Sequence, residues 1–304
     1  GGTTTTQSRC SPTTGYVANN TDCLDSNDHV NPGVTTEWCD GLANDCDSNW
    51  VASDENGIVT YISDTGSYSA ITSWTGNATY TLSQSGTINV CAGTYHVRLT
   101  TGASPSAAID LDIVGIGGAA NVVLTQNGGG GTLLGVYNTG TNINHVVRLY
   151  DLTLQGGTGE TVSAETYGGA IVVTDVDQTY ATNGGQSEEL VLDGCILSGN
   201  SAKYGGAISI GFPSAAPYGH VKLSNSTTIS GNGGSSTLYG GGIFLYSSGY
   251  LSCDSSTIAS NNATKMNNAA KGGGIYLSGS SGTYTYLTSS NCNYGSGESD
   301  NFTG

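Results

Sequence analysis

The sequence predicts an all-β chain: a parallel β-helix (solenoid) preceded by a small disulfide-stapled, loop-rich Asp/Cys unit. Three observations predict it. First, a phrase recurs four times, as Tyr167-Gly-Gly-Ala-Ile171, Tyr204-Gly-Gly-Ala-Ile208, Tyr239-Gly-Gly-Gly-Ile243 and Lys271-Gly-Gly-Gly-Ile275, with steps of 37, 35 and 32 residues between the isoleucines. Second, a turn phrase sits between the copies: Ile196-Leu197-Ser198-Gly199-Asn200, Thr228-Ile229-Ser230-Gly231-Asn232 and Thr257-Ile258-Ala259-Ser260-Asn261. Third, a short alternating run precedes each turn phrase: Leu190-Val-Leu192, Val221-Lys-Leu223 and Leu251-Ser-Cys253. Self-similarity at such a period marks a solenoid, a propeller or an array. The repeats lack a ten-residue stretch of helical periodicity, which argues against helical repeats. They also lack the two-residue hairpin signals of a propeller blade. In a parallel β-helix each repeat is one coil, and strands of successive coils pair about 4.8 Å apart.

The elements follow from residue type. Ile171, Ile208, Ile243 and Ile275 are expected to stack in one inward column, and Leu197, Ile229 and Ile258 in another. Glycine at the corners accepts positive φ without a Cβ penalty. The asparagine after Ser-Gly is read as a second left-handed residue, bonding its own backbone. Residues 86–304 are assigned to the β-helix and 58–85 to a capping or linking segment, with strand-like runs Ile58–Ile62 and Ala78–Leu82. Trp50 and Trp74 are expected to cover the first coil, because a solenoid must hide its end. Residues 10–57 form the Cys/Asp unit. Residues 1–9 are a Thr-rich tail, read as a disordered tail or as a strand donated to a neighbouring subunit. The chain opens at Gly1 without Met or a signal peptide, so it is read as a mature or trimmed form.

Composition narrows the function. Charged residues make up 10% of the chain and the formal net charge is −16, which excludes nucleic acid as partner, since its binding needs a basic patch. No run of 18 apolar residues exists, so no membrane-spanning helix is expected. Sequons at Asn19, Asn77, Asn225, Asn262 and Asn301 are glycosylation candidates in an exported chain.

Eight cysteines are present. Cys10, Cys23, Cys39 and Cys46 fall close together and read as the disulfides of the N-terminal unit, implying an oxidising compartment. Three pairings are open; proximity favours Cys10–Cys23 with Cys39–Cys46. Cys91, Cys195, Cys253 and Cys292 are scattered. Cys195 and Cys292 share a column three coils apart, too far for a bond, and read as small buried apolar residues.

Two acidic clusters flank Asn31-Pro-Gly33. Asp22, Asp25, Asn27 and Asp28 form the first; Asn44, Asp45, Asp47 and Asn49 form the second. Alternating Asp and Asn oxygens on short loops suit Ca²⁺, which takes six to eight oxygen ligands. His29 and Trp38 are the only softer groups nearby.

The pattern Asp22-Cys23, Asn31-Pro-Gly33, Glu37-Trp-Cys39-Asp-Gly41 and Asn44-Asp-Cys46-Asp47 resembles the metal-binding motif of bacterial surface proteins, a motif named after a copper-binding surface protein of methanotrophs. Ala43 and Ser48 depart from it, standing where the family has Asp and Gly. The resemblance implies a metal site holding calcium or, by resemblance only, copper. Residues 86–304, opening on Val90-Cys-Ala-Gly-Thr-Tyr95 and continuing with Gly-Gly-Ala-Ile and Ser-Gly-Asn, resemble right-handed parallel β-helix surface proteins of the polymorphic-membrane-protein type. Right-handedness is what that resemblance implies.

Catalytic residues are not expected. A polysaccharide lyase on this fold needs an Arg or Lys base beside acids, and the seven bases are read as standing apart from any Asp pair in the coils. A hydrolase needs carboxylates on one face; Asp175 and Asp177 are read as the only close same-face pair, at an ordinary solvated strand end. His96, His145 and His220 have no Ser or Cys partner at a recognisable spacing. The expected function is therefore a non-enzymatic extracellular structural protein: a cell-surface fibre or filament subunit that self-associates end to end through its β-helix and N-terminal tail. Calcium stabilises its N-terminal unit. The alternatives are a monomeric adhesin or carbohydrate-binding module, whose partners would be surface proteins or glycans met by the 18 tyrosines, and a β-helix lyase or hydrolase.

Overall fold

The computed structural model describes residues 23–24, 26–35, 37–46, 58–74, 76, 78–101, 108–126, 128, 130–138, 145–175, 190–212, 219–247, 249–264, 272–279 and 286–295. These form strands, turns and bends, with no helix among the described residues. Three strands lie at the head: β1 (Val59–Ile62), β2 (Tyr68–Ala70) and β3 (Ala78–Thr81). The first coil is β4 (Gly86–Val90) and β5 (Gly93–Thr100); the second is β6 (Asp110–Gly115), β7 (Val122–Thr125) and β8 (Leu134–Asn138). The third comprises β9 (Val146–Tyr150), β10 (Thr153–Gln155), a hairpin of β11 (Glu160–Val162) and β12 (Glu165–Tyr167), and β13 (Ile171–Asp175). The fourth holds β14 (Leu190–Asp193), β15 (Ile196–Ser198) and β16 (Ile208–Ile210). The fifth holds β17 (Gly219–Ser224), β18 (Thr228–Ser230), β19 (Gly233–Gly234) and β20 (Ile243–Tyr246). In the sixth are β21 (Gly249–Asp254), β22 (Thr257–Ala259), β23 (Asn262–Ala263) and β24 (Ile275–Ser278), and β25 (Tyr286–Ser290) opens a seventh.

The chain is a parallel β-helix with three faces. Face 1 is a nine-stranded sheet ordered β2-β1-β4-β6-β9-β14-β17-β21-β25, parallel except that β1 runs antiparallel to both β2 and β4. Faces 2 and 3 are two arms of one sheet joined at β5: Gly93–His96 pair with β7, whereas Val97–Thr100 pair with β3 and Leu99–Thr100 with β8. Face 2 continues β10-β15-β18-β22 and face 3 continues β13-β16-β20-β24. Parallel pairing thus begins at Ala78, inside the segment assigned to the cap.

The expected columns are present. Ile171, Ile208, Ile243 and Ile275 are direct partners on face 3, and Leu197, Ile229 and Ile258 on face 2; all seven are buried. Between inward residues, outward ones alternate, as the pleat requires. Each fully buried Ile or Leu contributes about 1.5–3 kcal/mol, and the core is one continuous aliphatic cluster from Val59 to Ile275.

The recurring Gly-Gly has two separate causes. The first glycine is left-handed, with φ of 53° at Gly168, 70° at Gly205, 63° at Gly240 and 64° at Gly272. The second has no such φ; a Cβ on Gly169, Gly206 or Gly241 would collide with the backbone oxygen of Gly206, Gly241 or Gly273 in the next coil. The turn phrase differs from expectation. Its left-handed residue is the one before the asparagine: Gly199 (φ 64°), Gly231 (φ 67°) and Ser260 (φ 58°). Asn200, Asn232 and Asn261 instead turn inward, are buried, and form a ladder. Asn200 Nδ2 donates to Asn232 Oδ1 and Asn232 Nδ2 to Asn261 Oδ1, both at 2.9 Å. Buried backbone carbonyls of Leu154, Leu197 and Ile229 accept from the same three amides.

The disulfides also correct the sequence reading. Cys23 pairs with Cys46, Cys39 with Cys91, and Cys253 with Cys292; Cys10 lies outside the described residues. The Cys10–Cys23 and Cys39–Cys46 pairing fails because Cys39 is buried against β1, its N–H bonding Thr60 Oγ1, and so faces Cys91 at the end of β4. Cys91, Cys253 and Cys292 are therefore not simply small apolar residues. Cys292 does lie above Cys195 in sequence register, but its partner is Cys253, on the preceding strand of face 1. Cys195 is free and buried. Such bonds belong to an oxidising compartment.

Candidate functional site

Three regions concentrate polar or aromatic chemistry. The N-terminal unit is built around Asn44, which is buried. Its Oδ1 accepts from the Trp38 N–H at 2.8 Å, and its Nδ2 donates to the His29 carbonyl and to Asp40 Oδ2, both at 3.1 Å. Glu37 accepts from the backbone N–H of Asn44 and of Asp45, and Asp40 Oδ1 from that of Leu42. Asn27 Oδ1 accepts from the His29 N–H, and Asp28 Oδ1 lies 2.8 Å from His29 Nδ1. His29 stacks on Tyr68 with ring centroids 4.0 Å apart, and Trp38 meets the same tyrosine edge-on. The loop is thus ordered by Glu37 and Asp40, which are not among the expected cation ligands, and by Asn27 and Asn44, which are, while Asp28 meets His29. Among the described residues no group of three or more His, Cys, Asp or Glu is placed to hold a metal ion, so no calcium or copper chemistry is derived. Asp22, Asp25, Asp47 and Asn49 lie outside the described residues.

The second region is an aromatic ladder outside face 3. Tyr167, Tyr204 and Tyr239 form backbone bridges to one another and stack face to face, with centroids 4.7 and 5.4 Å apart and planes within 12°. Val172, Phe212, Phe244 and Tyr276 pack beside them. Both faces of Tyr204 are covered by neighbouring rings, and Phe244 lies against it at 5.1 Å. Burial pushes the Tyr167 hydroxyl up to about 12. Ion pairs Arg98–Glu160 and Lys203–Glu165 border the ladder. Burial together with nearby Glu160 pushes Tyr137 up to about 12.

The third region corrects the reading that no base stands beside an Asp pair. Asp112 and Arg148 are direct cross-strand partners on face 1. Arg148 Nη1 donates to Asp110 at 2.5 Å and Asp112 at 2.9 Å. The Asp110 hydrogen bond raises the guanidinium pKa further, so Arg148 is held as a cation and is no proton acceptor. The sequence separation of 36 hid this neighbour; only the repeat register would have exposed it. Asp177 lies outside the described residues. His145 is buried, accepts the Ile109 N–H at Nδ1, and has its pKa lowered by burial. Of the sequons, Asn225 sits at a left-handed corner with Nδ2 bonded to both Asp193 oxygens, and Asn262 lies in β23. Asn19, Asn77 and Asn301 lie outside the described residues. No described helix is long and apolar enough to cross a membrane.

No family model matches the chain, and no curated protein or solved structure matches it.

Proposed function

We propose that this chain is a non-enzymatic extracellular structural rod, a subunit of a surface fibre in which coil columns join end to end. The carrying observation is where, among the described residues, the core is incompletely covered. Of the partly buried hydrophobic residues packed against the main cluster, Tyr61, Ile71 and Tyr80 lie at the head and Leu277, Leu287, Cys292 and Tyr294 at the tail. Between the ends the inward columns are sealed. Apolar surface at both ends of a column favours burial against another copy.

The sides of the column support the same reading. Their aromatic rings stack on each other, which leaves Tyr204 no face for a sugar ring, and the Arg148 cluster is charge-saturated. Three disulfides and the resemblance to β-helix surface proteins support an extracellular location. Calcium at the N-terminal unit remains part of the proposal, with Asp22, Asp25, Asp47 and Asn49 completing the ligands that the described residues do not supply.

Negative-stain electron microscopy of concentrated protein, with and without a calcium chelator, tests both parts. Filaments in calcium are expected, and fraying on chelation. Short single rods in both conditions would overturn the assembly and favour a monomeric binding module. Filaments indifferent to chelation would overturn the calcium component alone.

A further inference from the structure

We infer that the middle of the tyrosine ladder is an oxidative cross-linking site, where Tyr204 and Tyr239 are joined by a carbon–carbon bond into a dityrosine rung between successive coils. The bond forms within one copy and needs no assembly. Tyr204 and Tyr239 are parallel bridge partners on neighbouring coils. Their ring centroids lie 5.4 Å apart and their planes are 12° from parallel. In a phenoxyl radical the unpaired electron occupies π orbitals on the oxygen and the carbons ortho to it, and these orbitals project from the ring faces. Face-to-face stacking therefore aims the coupling carbons of one ring at those of the next.

The neighbouring rings are less well placed. Tyr167 stacks closer on Tyr204, at 4.7 Å. It is 5% exposed and has Phe212 at 5.6 Å, so it lacks room to turn out of the stack as a biaryl bond requires. Tyr276 lies 4.8 Å from Tyr239 but is tilted by 45°, and Tyr250 and Tyr286 are 6.0 Å apart and tilted by 33°. Tyr204 and Tyr239 are both partly exposed, which admits a small oxidant and lets water take the protons.

The step balances as follows in atoms and electrons. Each phenol gives one electron to the oxidant and one proton to water. The two radicals form one bond between carbons ortho to the hydroxyls. The hydrogen on each of those carbons then moves to its oxygen as the rings regain aromaticity. The oxidant belongs to the class of peroxide-driven haem enzymes, in which hydrogen peroxide takes up two electrons and two protons and becomes two waters. The place suits such a bond. Cys23–Cys46 and Cys39–Cys91 lie at the head and Cys253–Cys292 at the tail, while Cys195 in the fourth coil is free. Among the described residues no disulfide ties the fourth coil to the fifth. A Tyr204–Tyr239 bond would do so, restricting the unfolded chain as a disulfide does.

Photo-oxidation of the full chain tests the assignment. Dilute protein is flashed with light in the presence of a ruthenium tris-bipyridine sensitiser and persulfate, a small one-electron oxidant. Blue dityrosine fluorescence should appear in the monomer band of a denaturing gel. After reduction, trypsin cuts at Lys203, Lys222 and Lys265 and so separates the two residues. Mass spectrometry should find the peptide Tyr204–Lys222 joined to Leu223–Lys265, two hydrogens lighter than their sum, with fragmentation placing the bond on Tyr204 and Tyr239. Tyr204→Phe and Tyr239→Phe each keep a ring in the stack and remove a phenol. Both should abolish the linked peptide and lower monomer fluorescence several-fold, with unchanged circular dichroism. A bond placed on Tyr167 or Tyr276, or fluorescence found only in Tyr286-linked dimers, would overturn the assignment. So would a yield of the linked peptide no higher from native chain than from chain unfolded in urea, a comparison that needs no variant.

Discussion

Truncating the middle rung of the asparagine ladder, Asn232→Ala, should destabilise the column by about 3–5 kcal/mol. Asn232 Nδ2 donates to the Leu197 carbonyl at 2.8 Å and to Asn261 Oδ1 at 2.9 Å. Its Oδ1 accepts from the Asn200 N–H at 3.1 Å and from Asn200 Nδ2 at 2.9 Å. Alanine removes the acceptor of a buried N–H, at about 1–3 kcal/mol, and two donors worth about 1 kcal/mol each. The assay is guanidinium unfolding followed by far-ultraviolet circular dichroism and by tryptophan fluorescence. Trp38 and Trp74 lie at the head among the described residues, and Trp50 lies outside them, so a Trp50→Phe background lets fluorescence report the head while dichroism reports the whole column. In a solenoid, stability is a sum of coils and neighbour contacts. The dichroism midpoint should therefore fall substantially, and the fluorescence midpoint should fall less if the column breaks at the emptied rung. A loss below about 0.5 kcal/mol in both signals, the range of an ordinary surface substitution, would refute the ladder as a source of stability.

Four further outcomes follow from the same geometry. Gly206→Ala places a methyl against the Gly241 oxygen and Gly233 backbone; with no side chain able to yield, a loss of more than about 3 kcal/mol or failure to fold is expected on expression and melting. Replacing both Cys253 and Cys292 by serine opens a loop with a sequence separation of 39, about 4 kcal/mol in the chain-entropy model, and limited proteolysis should cut first beyond β24. Tyr95, Tyr137 and Tyr167 are all pushed up to about 12, by burial first. Above pH 10 the unfolded chain releases these protons while the native one holds them, so stability should fall between about pH 10 and 12; ultraviolet titration should show these three among the last tyrosines to ionise. Burial pushes the Cys195 thiol up to about 12, so native protein should resist iodoacetamide at that residue at pH 8, as peptide mapping would show, and react once unfolded.

How much of this was legible in the sequence depends on how far each interaction reaches. Columns were legible because a β-helix repeats its environment: Ile171, Ile208, Ile243 and Ile275 meet the same neighbours in successive coils, so the sequence repeats them. The Gly-Gly phrase was visible but only half explained. Positive φ accounts for Gly205, while Gly206 is dictated by the backbone of the next coil, a contact no local rule contains. The asparagine was misassigned for a related reason. A turn rule treats Asn as a tolerated left-handed residue, but the neighbouring glycine already meets that need, and buried carbonyls of the coil before require a donor at the asparagine position. At the corners before Asn200 and Asn232 the glycine satisfies the dihedral, and at the third corner Ser260 does, which leaves each amide to satisfy the core.

Pairings between coils were least legible, because irregular coil lengths displace partners in sequence. Cys253 and Cys292, or Asp112 and Arg148, become neighbours only once the register of every intervening residue is known. Proximity along the chain favoured the wrong cysteines in the N-terminal unit, where no repeat exists to supply a register and Cys91 belongs to the first coil. That bond fixes the acidic unit to the end of β4, beside the strands that close face 1. The described part of the unit thus stands at the head of the column, with Asp28, Glu37, Asp40 and Asp45 on it. A single bond to the first coil therefore does for this unit what register does for the coils: it fixes a place that no repeat in the sequence could announce.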